Sequence, residues 1–299
     1  MKLKLNKKII EDTNLSHEAI MVYIGIVVSY KCDCNAVLTN KNMLNYYLTQ
    51  TSKIPRRFEE NLRKGLQELL DNNIVVCKEK VGIDYYFDFK NIKLDDDDKF
   101  VFVEFEDIRK IMTSEYQNKS ALLRLYLCML GTFISKNHIK DIRDPDKYNN
   151  VLGMMPQTYL CQITGLSSRS VVEYIKILEY LELIYVSRCS FLFKDDKGNV
   201  KQHNNIYGKY CDMELVEEFT QIRYKMYDDL HRIKSSSATN NARSLMQKYN
   251  RLTKDIKYDD KVVEEIYEYI CKYNEKYPTR KKDMKPFEKY GYKINKKTN

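Results

Sequence analysis

The sequence predicts a mainly α fold with small β hairpins, an α+β class in which two three-helix units each lead into a hairpin. Three observations predict this class. Apolar residues recur every three or four positions over most of the chain, which is typical of amphipathic helices. Short β-prone runs flank turns that contain glycine, which is typical of hairpins. The same order of elements also occurs twice, so we expect two similar domains followed by a helical region.

The first unit begins at Ser16, which is suited to cap a long apolar helix. Thr39 opens a second helix, and Ser52 with Pro55 marks the start of a third, because proline is tolerated in a first helical turn. The third helix has apolar residues at spacings of three and four. Two β-prone runs around Gly82 then predict a hairpin.

The second unit repeats this plan. Residues 120–134 form an apolar helical pattern, and a second helical pattern ends at Gly165, which makes the turn. Ser167 or Ser168 caps the next helix. Residues 184–186 start a strand whose partner returns after a polar tip, so a second hairpin is expected.

The two units also align residue by residue where the third helix ends. Six positions match at one fixed offset of 109, which indicates an internal structural repeat. In the first unit these positions are Leu62, Leu66, Leu69, Asn73, Ile74 and Val75, and in the second they are Val171, Ile175, Leu178, Glu182, Leu183 and Ile184.

Three helices followed by a hairpin is the order of a winged helix, a helix-turn-helix with a β wing. An acidic run at residues 95–98 indicates a boundary or a solvated loop between two such units. Near-heptad spacing from Leu215 to Ile233 predicts a helix that either packs onto the second unit or mediates dimerisation. The expected regions are an N-terminal winged-helix domain at 1–94, a second winged-helix domain at 95–210, a C-terminal helical region at 211–275 and a mobile basic tail at 276–299.

The charge is concentrated near the C-terminus. The chain has a formal net charge of +9, and residues 271–299 contain ten Lys or Arg against three Asp or Glu. A basic tail on a nearly neutral body suits a polyanionic partner, although such a tail also serves solubility alone.

The second helix of a helix-turn-helix reads base edges in the major groove, mainly with its leading turn. Arginine can hold a guanine edge, lysine neutralises phosphate, and small hydroxyl residues suit phosphate contacts. A solvated helix face or hairpin tip is the alternative for each set. The expected DNA-binding residues are Lys53, Arg56, Arg57, Arg63 and Lys64 in the first unit, Ser167, Ser168, Arg169, Ser170, Tyr174 and Lys176 in the second, and Lys194 and Lys197 in the second wing.

Signals for catalysis, cofactors and metals are missing from the sequence. It contains neither a P-loop nor an H-E-x-x-H or G-x-S-x-G motif, and Cys32-Asp33-Cys34 has no second ligand pair for zinc. We therefore expect a non-enzyme without cofactor or metal. Scattered cysteines within apolar patterns and the lack of a long apolar run favour a cytoplasmic protein without membrane contact.

Two winged helices in one chain with helical extensions resemble the replication initiators of plasmids and phages, over about residues 10–210. The helix-turn-helix from Pro156 to Leu181, followed by Ile184-Tyr185-Val186, looks like the N-terminal unit of phage replisome organisers. The resemblance implies double-stranded DNA as partner, at repeated or palindromic origin or operator sites. It also implies self-repression and recruitment of host replication proteins. A transcriptional or copy-number regulator with the same fold and a winged-helix scaffold for protein contacts remain alternatives, and so does a homodimer.

Overall fold

The computed structural model describes residues 1–32, 38–88, 99–139, 142, 144–188, 192–194, 200–202, 204–228, 232–233, 237–254 and 256–292. These residues are mainly helical, with small antiparallel sheets, as expected for an α+β chain. They form two compact units. The first unit is Met1–Ser190 with Gln202–Leu230, and the C-terminal unit is Phe191–Lys201 with His231–Asn299. Within the described ranges, every helix is too short or too polar to cross a bilayer.

The first unit contains one order of elements twice, and we call the two copies the first and second repeats. The first repeat runs through β1 (Lys2–Asn6), α1 (Lys7–Glu11), α2 (His17–Cys32), β2 (Leu38–Thr39), α3 (Lys41–Thr49), α4 (Arg56–Asp71), β3 (Val76–Val81) and β4 (Asp84–Asp88). The second repeat runs through β5 (Phe100–Glu104), α5 (Phe105–Thr113), α6 (Lys119–Gly131), β6 (Leu152–Gly153), α7 (Gln157–Thr164), α8 (Ser168–Tyr180), β7 (Ile184–Ser187) and β10 (Ile206–Lys209). Between β7 and β10 the chain forms β8 (Leu192–Lys194) and β9 (Val200–Gln202), which except for Gln202 belong to the C-terminal unit. Single 3-10 turns cover Lys136–His138 and Pro145–Tyr148, and the chain ends with α9 (Met213–Asp228), β11 (Arg232–Ile233), α10 (Ser237–Leu252) and α11 (Asp260–Lys276).

The sheets of the two repeats have the same strand order. In the first repeat, β2 lies beside the returning hairpin strand, so the order is β2-β4-β3. In the second repeat the corresponding order is β6-β10-β7. In both copies a two-residue strand pairs with the hairpin: β2, which precedes α3, pairs with β4, and β6, which precedes α7, pairs with β10.

The repeats are joined by antiparallel pairing of β1 with β5. Lys4 stands opposite Phe102 at the centre of the register. On both strands alternate residues are buried, as a half-buried sheet requires. Equivalent hydrogen bonds flank the ladder, since the Lys7 N–H donates to the Lys99 carbonyl at 2.9 Å and the Phe105 N–H to the Met1 carbonyl at 2.8 Å. The two-stranded sheet therefore has approximate two-fold symmetry.

One hydrophobic core serves both repeats. It contains the buried faces of α2, α4, α6 and α8 together with Leu3, Leu5, Val101 and Val103. Arg124 on α6 is 1% exposed, and its guanidinium donates to the carbonyls of Ile10, Asp12 and Leu15 in the first repeat, at 2.7–3.1 Å. The predicted regions 1–94 and 95–210 thus lie in one compact unit except for residues 191–201, which belong to the C-terminal unit. The acidic run between the two regions falls outside the described residues.

The helix after the second repeat is shorter than its heptad pattern predicts. α9 ends at Asp228, and Ile233 lies in β11, paired with Leu192 of β8. Within α9, Val216 and Phe219 are buried in a second core of the first unit, with Tyr148 and Leu152. The start of the seam therefore packs onto the second repeat, whereas its end is strand.

The expectation of an extended basic tail is wrong for residues 278–290. Phe287 is fully buried in the core of the C-terminal unit, packed against Tyr249 and Tyr267. The Tyr249 hydroxyl donates to the Asp283 carbonyl at 2.8 Å, and Asn274 on α11 holds Lys282 by two backbone hydrogen bonds. Aromatic burial between α10 and α11 therefore folds this segment back in spite of its charge.

Candidate nucleic-acid interface

Helix α4 is fixed by its apolar face and leaves its basic face exposed. Leu62, Leu66 and Leu69 are buried in the main core. A Cβ atom on Gly65 would lie 2.6 Å from the Glu18 carbonyl oxygen on α2, so a side chain at this position would push the helices apart. This close packing holds α4 firmly against α2.

Exposed cations lie in the leading turn of α4 and just before it. Lys53 precedes the helix, Arg56 and Arg57 are in its first turn, and Arg63 is exposed two turns further along. Among the described residues, the side chains of Lys53, Arg56 and Arg57 make no ion pair or hydrogen bond. Lys64 differs, because its ammonium lies 2.9 Å from Glu60 and lowers the pKa of that carboxyl, and the charge of Arg63 lowers it further. The unpaired cations give this helix end a positive potential.

Helix α8 has the capped leading turn that the sequence predicts. Gly165 has a φ of +71° and ends α7, a backbone conformation that suits glycine. The Ser167 hydroxyl caps α8 by accepting the Ser170 N–H at 3.1 Å, and Gln157 donates to the Ser168 carbonyl at 3.2 Å. These bonds set the angle between α7 and α8.

The outer face of α8 is polar but only weakly basic. Ser167, Ser168, Arg169 and Lys176 are exposed, and Ser170 is half-buried. Tyr174 was expected on this face, but it is half-buried and packs against the main core. Because its ring is held by the core, Tyr174 is less available to a partner than the other residues of this set.

The first hairpin also carries an exposed cation. Lys80 is exposed on the β3–β4 hairpin, where its ammonium lies 4.8 Å from the centre of the Tyr85 ring. In the second hairpin, the side chain of Lys194 and the whole of Lys197 lie outside the described residues, so both remain predictions. The two sets of helix residues, on α4 and α8, are carried by the same compact unit.

Sequence reasoning missed a second basic surface, on the outer face of β1 and β5. The Lys2 ammonium lies 4.7 Å from the centre of the Phe102 ring, and that of Lys4 lies 4.2 Å from Phe100. Both rings are at least 40% exposed. The alternation in K-L-K-L-N and F-V-F-V-E is the sequence signal for this sheet.

Within the described part of the chain, no three His, Cys, Asp or Glu side chains cluster in a way that could hold a metal ion. Asp33 and Cys34 of the Cys-Asp-Cys sequence lie outside it. Comparisons with protein-family models, with curated proteins and with solved structures find no match for this chain.

Proposed function

We propose that this protein binds double-stranded DNA sequence-specifically through two winged-helix units, without catalysis, as a plasmid- or phage-type replication initiator. The observation that carries the proposal is the leading turn of α4. There Arg56 and Arg57, with Lys53 just before the helix, are exposed and have no acidic partner among the described residues, while the opposite face of the helix is buried in the core.

A duplex groove supplies hydrogen-bond acceptors and negative charge for these cations. The major groove of B-DNA admits an α-helix, and an arginine at its leading turn can donate two hydrogen bonds to a guanine edge. Lysine at the same end neutralises phosphate. Surface cations without an ion pair need not break one before they bind, so no contact within the described residues opposes this association.

The second unit is suited to positioning. A short polar turn with a capped helix start, formed by Ser167, Ser168 and Arg169, offers hydroxyl and backbone N–H donors for phosphate and one guanidinium for a base. We propose that α8 contributes fewer base contacts than α4, because its exposed face carries fewer cations.

The shared core supports a single frame for both helices. β1 pairs with β5, and Arg124 donates to three carbonyls of the other repeat, so the two repeats are held together. On such a frame one chain would cover two successive major-groove segments. Free energy of binding could then bend or open an origin without chemistry by the protein.

DNA binding is tested with the full chain. Its preferred duplex is first selected from a random library, by binding to the protein. Affinity is measured by fluorescence anisotropy over a range of salt concentrations.

We expect Arg56→Ala with Arg57→Ala to weaken binding by about 10-fold to 100-fold or more, and to flatten the salt dependence. Arg169→Ala should weaken binding by about 10-fold. Arg109→Ala with Lys110→Ala on α5 is the matched control, since these adjacent cations, one half-buried and one exposed, pair with Glu106 and Glu182. Unchanged affinity in both sets of test variants would overturn the proposal.

The role as initiator needs a separate readout, because a transcriptional or copy-number regulator would also bind DNA. Permanganate reacts with unpaired thymines, so it reports opening of the parent replicon's origin when the protein is added. We expect reactive thymines beside the bound sites. Binding confined to promoter operators, with no reactive thymine at the origin, would favour the regulator and leave the DNA-binding proposal intact.

A further inference from the structure

A cavity of about 500 Å³ lies in the first unit, between the turn that joins α3 to α4 and the turn that joins α5 to α6. Its volume is in the range of small-molecule sites. Met21 and Met112 are buried in its wall, and Phe58 is half-buried beside them. Amide, hydroxyl and charged side chains line the rest, so the cavity combines an apolar wall with polar groups, as ligand sites do.

A difference between the repeats contributes to this cavity. Helix α5 has nine residues, whereas its counterpart α1 has five. The additional turn includes Met112 and Thr113, and both line the cavity. The additional turn of α5 thus forms part of the cavity wall, beside the helix proposed to read DNA. Helix α1 of the first repeat lacks this turn.

The cavity contains an ammonium group that has no counter-ion among the described residues. Lys119 is half-buried, and within the described part of the chain its ammonium makes one hydrogen bond, to the Met112 carbonyl at 2.9 Å. Burial lowers the pKa of Lys119. Lys53 and Arg57 also line the cavity, and their side chains have no described acidic partner. Three cations facing one cavity suit a ligand with a phosphate group.

The remaining lining suits the body of such a ligand. The Glu18 carboxylate accepts the Ser120 hydroxyl at 3.2 Å and has further acceptor capacity for an N–H donor. Met side chains adapt to irregular shapes. Both Met side chains and the Phe58 ring make favourable contacts with aromatic rings. A planar heterocycle with N–H groups would therefore match this wall.

We propose that the cavity binds a small organic phosphate of nucleotide size, with its phosphate at Lys119, Lys53 and Arg57 and its ring beside Phe58. Because Lys53 and Arg57 are also among the residues proposed to contact DNA, the bound ligand lowers DNA affinity. This regulatory part depends on the proposed function, whereas ligand binding itself does not.

Isothermal titration calorimetry of the full chain tests binding directly. The probes are the four ribonucleoside monophosphates and inorganic phosphate, at physiological salt. We expect at least one nucleotide to bind, with inorganic phosphate about tenfold weaker or more because it lacks the ring. Lys119→Met should weaken nucleotide binding by about tenfold or more, the loss typical of a charge-assisted hydrogen bond. Lys110→Met on the same additional turn of α5 is the matched control and should bind normally.

Thr113→Trp provides a second variant, because residue 113 is exposed on the rim and a large ring there would fill the cavity without disturbing the core. Circular dichroism establishes that each variant folds. The inference is overturned if no nucleotide binds, or if folded Lys119→Met and Thr113→Trp both bind as tightly as the original protein.

DNA competition separates this inference from the proposed function. Saturating nucleotide should lower the affinity for the selected duplex by about tenfold, since it occupies two of the proposed contacts. Lys119→Met should bind DNA normally and fail to respond. Nucleotide binding without any DNA affinity would remove the proposed function alone, and DNA affinity without nucleotide binding would remove only the cavity inference.

Discussion

Asn73 and Glu182 stand 109 positions apart and both adopt a left-handed backbone, with φ values of 54° and 52°. Each residue lies just beyond the helix that precedes a hairpin. In both copies the next N–H donates to the carbonyl five residues back, at 2.9 Å and 3.0 Å. The offset read from the sequence therefore corresponds to one helix-termination geometry, used twice.

Glycine should stabilise the second of these two sites. Glu182→Gly is expected to raise the free energy of unfolding by about 0.5–1 kcal/mol, because glycine adopts a left-handed backbone without steric cost. Asn73→Gly should gain less, since asparagine tolerates this conformation better than glutamate does. Urea denaturation measures the change. Glu173→Gly, on the exposed face of α8, is the control and should lose about 1 kcal/mol. Equal losses for Glu182→Gly and the control would contradict the assignment.

Arg124→Met should destabilise the first unit strongly. The guanidinium serves three buried or partly buried carbonyls, and methionine supplies no donor for them. We expect a loss of about 3 kcal/mol or more in the free energy of unfolding. Arg124→Lys should rescue little, because one ammonium lacks the guanidinium's planar fork. Arg169→Met, at an exposed site on α8, should change stability by less than about 0.5 kcal/mol. A mild effect of Arg124→Met would argue against a shared frame.

His17 should make the stability of the first unit depend on pH. Burial lowers the pKa of His17, and the charge of Arg124 lowers it further. The unfolded chain takes up this proton near pH 6.5, before the folded chain does, so stability falls as the pH falls through about 6.5. His17→Gln should lose less stability than the original protein between pH 7.5 and 5.5 in urea titrations. His138→Gln, at an exposed site, should retain the original pH dependence, and a slope unaffected by His17→Gln would refute the account.

Phe287→Ala should loosen only the C-terminal unit. Removal of a fully buried phenyl ring costs about 3–5 kcal/mol, and this ring packs among residues of α10, α11 and the segment after them. Hydrogen exchange should show lost protection in α10 and α11, while α2 and α6 keep theirs. Glu288→Ala, beside it in the chain and exposed, is the control. Unchanged protection in α11 would mean that residues 278–290 do not belong to this core.

The long helices and the hairpins could be predicted because each bears a local signal. The Ser167 cap, the Gly165 turn and the apolar spacing of α4 are all properties of neighbouring residues. The two-residue strands β2 and β6 could not be predicted in this way, since two residues form no pattern and their pairing partners are distant in sequence.

Errors arose where tertiary contacts override a local pattern. Ile233 continues a helical spacing but pairs as a strand with Leu192. Phe287 lies in a basic segment, yet aromatic packing buries it. In the candidate site, the cations of α4 could be predicted from their positions at the start of a helix. Lys119 could not be predicted, because the absence of a described counter-ion depends on residues distant in sequence.

Protection of guanine N7 from dimethyl sulfate, measured on the selected duplex, tests the two-helix reading of DNA most directly. The account predicts two protected major-groove segments about one helical turn apart. Arg56→Ala with Arg57→Ala should erase one segment, and Arg169→Ala should weaken the other. An identical protection pattern in the original protein and in both variants would contradict it.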